Sequence, residues 1–235
     1  MSRRRARTRP AKRSAKRGAP DKPPQPGRFI TLEGGEGAGK STQLAKLVAA
    51  LERGGHKVQA TREPGGTPAA EEIRRLLVEG EPGRWQHISE ALLHFAARAE
   101  HLAHVVRPAL KAGVWVVSDR FADSTMAYQG YGHRLGRATI AELYRLVVGE
   151  FRPGLTVILD LPVETGLRRA ALRASRETRY ERMDRAFHER LREGFRDIAR
   201  REPRRCILID AVGEADATTR KIFAAVEARL GVKLA

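Results

Sequence analysis

Short apolar segments rich in β-branched residues alternate along the chain with longer segments whose apolar residues recur every three or four positions. The short segments predict strands at Phe29–Leu32, Lys57–Thr61, Val114–Ser118, Leu155–Leu161 and Cys206–Ile209. The longer segments predict helices at Ser41–Arg53, Pro68–Val78, Ile88–Leu110, Arg137–Val148, Val163–Ala174, Glu181–Arg201 and Glu214–Leu230. Strands separated by helices of this length predict an α/β fold in which helices cover both faces of a parallel sheet. We expect ligands at the carboxyl ends of its strands.

The segment after the first predicted strand has the pattern of a phosphate-binding loop, Gly-x-x-x-x-Gly-Lys-Ser, and leads directly into a predicted helix. Its glycines let successive backbone N–H groups point at a phosphate, and the start of the helix adds its positive dipole end. Lys40 can reach the β- and γ-phosphates of a nucleotide, and the Ser41 hydroxyl can ligate the accompanying Mg²⁺. The predicted nucleotide-binding residues are Gly34, Gly35, Glu36, Gly37, Ala38, Gly39, Lys40, Ser41 and Thr42.

Further candidate phosphate groups follow the second and third predicted strands. Arg62 stands in a glycine-containing loop and can clamp an anion, although an ordinary turn explains this loop equally well. Asp119 stands at a strand tip, where P-loop enzymes place a carboxylate that organises Mg²⁺, and Arg120 beside it can bind a phosphate bidentately. Arg98 lies in mid-helix among small apolar residues, and its spacing slightly favours a surface position over a ligand contact.

Charge is concentrated at the start of the chain. The 235 residues carry a net charge of +17, and residues 1–28 hold eleven Lys/Arg, one Asp and five Pro. Such a segment cannot bury enough apolar surface to offset its ordering entropy, so residues 1–28 are predicted to be a disordered basic tail. A nonspecific nucleic-acid-binding arm is the alternative to a solvated extension, which we favour. Residues 29–235 fit one α/β domain.

Two observations bear on the compartment. Cys206 is the single cysteine, which excludes an internal disulfide and suits a reducing environment. No apolar segment approaches the roughly 20 residues of a membrane span, and no signal-peptide core is present. We therefore expect a soluble, cytoplasmic protein with no membrane contact.

An arginine-dense segment follows the fourth predicted strand. Its arginines at a spacing of three are Arg173, Arg176, Arg179 and Arg182. A solvated helix face explains most of them. The alternative is a lid that closes over a nucleotide, with one or more arginines stabilising charge on the transferring phosphoryl group.

Five motifs, taken in order, resemble those of bacterial thymidylate kinases. They are GGEGAGKST at 34–42, TREPGGT at 61–67, DRF at 119–121, AYQG at 127–130, and RYE at 179–181 with HER at 188–190. The resemblance runs from about Phe29 to the C-terminus. It implies a three-layer P-loop kinase fold with a five-stranded parallel sheet flanked by helices, and a helical lid at about residues 173–182. The implied reaction is direct in-line transfer of the γ-phosphoryl group of Mg²⁺-ATP to dTMP, giving dTDP for dTTP supply.

The same resemblance implies which groups handle the phosphates. Arg62 and Arg120 correspond to groups that hold the acceptor phosphate, and Asp119 corresponds to the Mg²⁺-linked carboxylate, with Ser41 as the other metal ligand. Lys40 and Arg120 are implied to be catalytic. Members of the family carry a further catalytic arginine either in the P-loop or in the lid, and the P-loop position here is Gly37. The lid candidates are Arg173, Arg176 and Arg179, and the sequence does not choose among them.

The resemblance also implies which groups recognise the nucleoside. Glu36 corresponds to the acidic residue that contacts the deoxyribose 3′-hydroxyl, and the Tyr128 ring occupies the space that a 2′-hydroxyl needs. Arg98 corresponds to the arginine that hydrogen-bonds the thymine edge, with Thr125 as a further polar base contact. Glu181 of the lid completes the substrate-binding set.

Two positions depart from the family pattern. His94 stands where members carry a Phe or Tyr that stacks on thymine, and Thr178 stands where they often carry Asp. Another nucleoside monophosphate kinase with altered base specificity is therefore one alternative. A P-loop ATPase that acts on nucleic acid through the basic tail is the other. The resemblance further implies a homodimer packed through parts of Ile88–Leu110 and Arg137–Val148.

Overall fold

The computed structural model describes residues 28–172 and 179–234. Its sheet has five parallel strands in the order β2-β3-β1-β4-β5. The strands are β1 (Phe29–Gly34), β2 (Val58–Arg62), β3 (Trp115–Asp119), β4 (Leu155–Asp160) and β5 (Cys206–Asp210). The order reverses around β1, whose two following strands in the chain lie on one side and the last two on the other. The loop after β1 is therefore at the switch point where open α/β sheets bind ligands.

The helices fill the connections between strands. They are α1 (Lys40–Arg53), α2 (Pro68–Val78), α3 (His87–His101), α4 (Arg107–Lys111), α5 (Ala122–Thr125), α6 (Arg137–Val147), α7 (Val163–Ala171), α8 (Arg185–Arg201) and α9 (Ala215–Leu230). There are also two π-helical segments among the described residues. Leu102–Val106 joins α3 to α4, and Met126–Gly132 follows α5.

Alternate side chains of the strands serve two different apolar cores. Ile30 and Leu32 of β1 pack with side chains of α1 and α9, including Leu47 and Val226. Phe29, from the other face of the same strand, packs with side chains of α3 and α6. A third cluster joins α8 to the same face through β4 and β5. The sheet is thus the middle of three layers, as near-continuous apolar parallel strands require.

All five predicted strands are confirmed, each within two residues of its predicted bounds. The α/β fold with a five-stranded parallel sheet is therefore confirmed. Helix α2 has the predicted bounds. In the helix predicted at Glu181–Arg201, α8 begins only at Arg185, because the Asp184 side chain caps it by accepting a hydrogen bond from Phe187 N at 2.6 Å.

Two other helical predictions differ from the structure, and one helical run was not predicted. The helix predicted at Ile88–Leu110 is interrupted by a π-helical segment just before Pro108, a residue that supplies no backbone N–H. The sequence analysis missed the helical run Ala122–Gly132, whose small and polar residues lack an apolar period. Within the predicted lid, residues 179–182 form turns, and Arg173, Arg176 and Thr178 lie outside the described residues, as does the tail up to residue 27.

Across the described ranges, no helix combines the length and apolar character needed to cross a membrane.

Candidate active site

The loop after β1 curls against the start of α7. Gly37 has φ 66°, and a Cβ there would lie 2.0 Å from the carbonyl oxygen of Gly166. Only glycine satisfies both the left-handed backbone and this close approach. The loop thereby keeps its backbone open toward the carboxyl ends of β1 and β3, and α1 begins at its last residues.

Lys40, the first residue of α1, folds back over the loop. Its Nζ donates to the carbonyl oxygens of Gly34 at 3.2 Å and Gly35 at 2.9 Å. Burial, reinforced by the nearby positive charge of Arg120, lowers the pKa of Lys40 to about 8. The lysine is therefore held by weak neutral acceptors in the cleft that this loop lines together with Asp119 and Arg120, called the phosphate cleft below, and an anion would stabilise its charged form.

A hydroxyl and a carboxylate meet where β1 and β3 end. Ser41 Oγ donates to Asp119 Oδ2 at 2.8 Å. Asp119 is in register with Leu32 of β1 and with Arg62 of β2, so the carboxyl ends of the three strands meet at one edge of the sheet. Hydroxyl and carboxylate oxygens are the ligands that Mg²⁺ prefers.

Arg120 joins the phosphate-binding loop to the helical run that follows β3. Its Nη1 donates to Gly34 O and to Ser124 Oγ, each at 3.0 Å, and its Nη2 donates to Glu36 Oε1 at 3.1 Å. Tyr128 also donates its hydroxyl to Glu36 Oε1, at 2.5 Å. Burial would raise the pKa of Glu36, but Arg120 and Lys40 outweigh it and hold the pKa at about 2. Glu36 is therefore a carboxylate at neutral pH.

A pocket beside this cluster is built around buried Arg98. Arg98 Nε donates to Glu63 Oε2 at 2.8 Å, and Nη2 donates to Thr125 Oγ1 at 2.9 Å. Its Nη1 is buried with no hydrogen-bond partner among the described residues, and so is the amide oxygen Oε1 of Gln129. Both residues line the pocket. Because buried polar groups are normally paired, the pocket wall offers one hydrogen-bond donor and one acceptor to a complementary group.

His94 forms part of the wall of the same pocket. Its Nε2 lies 2.9 Å from the hydroxyl of Tyr180. Burial, with the positive charges of Arg98 and Arg179, lowers the pKa of His94 to about 3 despite the nearby Glu90. The imidazole is therefore neutral at physiological pH.

Residues 32–222 match the sequence model of the thymidylate kinase family. The chain belongs to the thymidylate kinase family.

Two curated relatives and one solved structure illustrate this membership. A thymidylate kinase of Caulobacter vibrioides is 53% identical over 206 residues, which cover 88% of this chain and 99% of the relative. A thymidylate kinase of Rhizorhabdus wittichii is 48% identical over 202 residues, which cover 86% of this chain and 97% of the relative. The crystal structure of thymidylate kinase from Ehrlichia chaffeensis aligns with a TM-score of 0.69 at 33% identity, covering 86% of this chain and 99% of that one.

Most residues that the family resemblance singled out lie around two adjoining cavities. Members of the nucleotide-binding loop share a cleft with Asp119, Arg120 and Arg62. The pocket beside it is lined by the predicted substrate residues Glu36, His94, Arg98, Arg120, Thr125, Tyr128 and Glu181.

Arg62 and Arg179 have other partners in this structure. Arg62 is half exposed and forms an ion pair with Glu71 at 2.9 Å, although it lines the phosphate cleft. Arg179 is buried, and four of its five N–H groups donate to the carboxylate of Glu90 and to the carbonyl oxygens of Leu77, Glu81 and Pro82. This fastens the end of the predicted lid segment to α2 and α3.

The sequence analysis missed several side chains of the site. Arg74 of α2 lines both cavities and donates to Pro64 O at 2.7 Å, yet its sequence position is typical of a solvated helix residue. Gln129 stood within a quoted motif but gave no separate signal. Glu33 is fully buried under the loop, where it accepts from Phe121 N at 2.7 Å and Ser124 Oγ at 2.5 Å. An acidic residue in an apolar strand was the signal that could have identified it.

The pKa of Lys40 gives a testable linkage. The folded-state pKa of about 8 is below the ordinary value for lysine, so Lys40 is about half neutral at pH 8 in the free protein. A triphosphate favours the charged form, so binding of Mg²⁺-ATP should take up about half a proton at pH 8 and much less at pH 7. Calorimetric titration in two buffers of different ionisation enthalpy measures this. In the Lys40→Arg control, which does not titrate in this range, the uptake should disappear, and equal uptake in that control would contradict the assignment.

Proposed function

We propose that this enzyme transfers the γ-phosphoryl group of ATP to dTMP, giving dTDP and ADP. Family membership supports the reaction class. The observation that favours thymine over cytosine is the pair of unpartnered buried atoms in the pocket, the Nη1 donor of Arg98 and the Oε1 acceptor of Gln129. Thymine offers an O4 acceptor beside an N3–H donor, which complements that pair. Cytosine offers an amino donor beside an N3 acceptor, which opposes it.

The mismatch with cytosine would leave buried groups unpaired. A site built to hydrogen-bond one edge rejects the analogue that lacks the matching groups, because each unpaired buried group costs about 1–3 kcal/mol. His94, neutral and held by Tyr180, supplies the flat face at the position where the family carries a Phe or Tyr. We infer that it stacks on the base.

Glu36 and Tyr128 are proposed to recognise the sugar. The ionised carboxylate of Glu36 can accept a hydrogen bond from a 3′-hydroxyl. Tyr128 is buried and fixed by its hydroxyl on Glu36, so its ring is rigidly placed to exclude a 2′-hydroxyl. Glu181 lies at the rim of both cavities, where it can contact the bound nucleotides.

Catalysis is proposed to rest on positioning and charge. The acceptor phosphate lies between Arg120 and the neighbouring arginines Arg62 and Arg74, while Lys40 and the loop N–H groups hold the ATP phosphates in line with it. Ser41 and Asp119, already 2.8 Å apart, would hold Mg²⁺. When bound, Mg²⁺ neutralises charge on the phosphate oxygens. No protein nucleophile is required.

The surface away from the site bears on the oligomeric state of the protein. We infer a cytoplasmic homodimer that packs through α3 and α6. Exposed apolar side chains on these helices, namely Ile88, Leu92 and the 82% exposed Leu146, support that surface. Light scattering of the purified protein checks it, and a monomeric mass would contradict it.

A coupled ADP-release assay tests the proposed acceptor. With Mg²⁺-ATP and each of dTMP, dUMP, UMP, CMP, AMP and GMP, the highest kcat/KM should be for dTMP, and removal of residues 1–27 should not change the order. Lys40→Ala should abolish transfer, because it removes the charge that spans the ATP phosphates. A preference for another acceptor would leave the phosphate chemistry in place and refute the base assignment. Near-normal turnover by Lys40→Ala would refute the reaction class.

The catalytic arginine of the lid is proposed to be Arg173 or Arg176, because the Arg179 guanidinium is committed to Glu90. Alanine at the position that contacts the transferring phosphoryl group should lower kcat about 100-fold or more with little change in Tm. Arg179→Ala should instead lower the free energy of unfolding by about 3–5 kcal/mol, because it leaves the Glu90 carboxylate buried without its guanidinium partner. Arg182→Ala is the matched control, since Arg182 pairs with Glu81 at the surface. Wild-type stability in Arg179→Ala would contradict the structural role.

A further inference from the structure

The orientation of the Gln129 amide decides what the base pocket accepts. Gln129 Nε2 donates to Glu90 Oε1 at 2.7 Å, which leaves Oε1 of Gln129 unpartnered at the pocket. The reverse orientation would present an N–H donor to the ligand. Whatever fixes this amide therefore fixes the sign of one hydrogen bond to the base.

Glu90 is held as a carboxylate although no part of it reaches solvent. The Arg179 guanidinium donates to its Oε2, and the Tyr180 hydroxyl donates to its Oε1 at 2.9 Å. His133 Nε2 lies 3.1 Å from the same Oε1, outside good hydrogen-bond alignment. Burial opposes ionisation, but the surrounding donors and positive charges lower the pKa of Glu90 below its ordinary value.

An ionised carboxylate can only accept hydrogen bonds. Gln129 must therefore turn its NH₂ group toward Glu90 and its oxygen toward the pocket. The same constraint acts through Tyr180: because the single hydroxyl proton of Tyr180 is donated to Glu90, its oxygen accepts the proton of His94 Nε2. One buried carboxylate thus sets both the amide orientation of Gln129 and the tautomer of His94.

We propose that Glu90 is a specificity-determining positioning residue, which selects bases with a donor at N3 by fixing the amide of Gln129. Glu90 itself does not line the pocket. The inference rests on the proposed function, since it concerns discrimination between dTMP and dCMP at the same site.

Glu90→Gln tests the proposal. The amide introduced at position 90 can donate to the oxygen of Gln129 as readily as it can accept, so the Gln129 amide loses its fixed direction, while Arg179 keeps the three backbone acceptors. The ratio of kcat/KM for dTMP to kcat/KM for dCMP should fall about tenfold or more, the size of one discriminating hydrogen bond. An unchanged ratio in folded E90Q would overturn the proposal.

The exchange variant, which combines Glu90→Gln with Gln129→Glu, should restore the ratio. The carboxylate placed at position 129 presents only acceptors to the pocket, and the amide placed at position 90 donates to it. One carboxylate remains in the buried cluster with Arg179, so this variant stays measurable even where E90Q alone fails to fold. A low ratio in the folded exchange variant would overturn the proposal, since a merely structural role predicts no such rescue.

Phe187→Leu is the control for a general weakening of the packing around the cluster. Phe187 is buried against His133, with ring centroids 4.8 Å apart, and does not line the pocket. We expect the ratio to stay within about twofold even if Tm falls; a collapse equal to that of E90Q would assign the effect to packing. If the wild type itself does not prefer dTMP, the proposed function fails before this question arises.

Discussion

The guanidinium of Arg120 holds the phosphate side and the base side of the site together. It bonds the backbone and Glu36 of the loop after β1, and Ser124 of the helical run that follows β3. Arg120 itself has φ 69°, a left-handed conformation that costs a non-glycine residue about 1–2 kcal/mol. Hydrogen bonds from Arg120 N to Leu32 O and from Ser118 Oγ to Arg120 O offset that strain. The strained residue is thus the one that ties the loop after β1 to the helical run that follows β3.

Glu33 and Glu36 lie three positions apart, yet their surroundings shift their pKa values in opposite directions. Burial, with the nearby Asp123, raises the pKa of Glu33 to about 8, whereas Arg120 and Lys40 hold the pKa of Glu36 at about 2. Glu33 faces the interior and anchors the backbone of Phe121, while Glu36 faces the ligand side. The same residue type thereby gives a structural anchor under the loop and a permanent anion above it.

Local sequence patterns were sufficient to predict the sheet and the loop that follows its first strand. The strands, the phosphate-binding loop and the Asp119–Arg120 pair follow from short-range patterns, because strand period, glycine spacing and helix start are encoded within a few residues. Arg98 was different: its spacing favoured the surface, yet it is buried against Glu63, a residue 35 positions away in the chain. Burial of an arginine depends on a distant partner that periodicity does not reveal.

The pocket around Arg98 was still harder to predict from local sequence patterns. The roles of Arg179, Tyr180 and Gln129 all depend on Glu90, which lies on α3 and carries no motif signal. In the sequence His94 was only a departure from the family's Phe or Tyr. Its neutral state follows from burial, and its orientation follows from the hydrogen bond with Tyr180. Tertiary contacts across 39 to 90 positions of sequence created this network.

The most direct measurement is a crystal structure of the enzyme with dTMP and a non-hydrolysable ATP analogue. Thymine O4 should lie about 3 Å from Arg98 Nη1 and thymine N3 about 3 Å from Gln129 Oε1, with the acceptor phosphate beside Arg120 and facing the γ-phosphate at Lys40. A nucleotide bound with its base outside this pocket, or with both polar atoms still unpartnered, would contradict the assignment of the site.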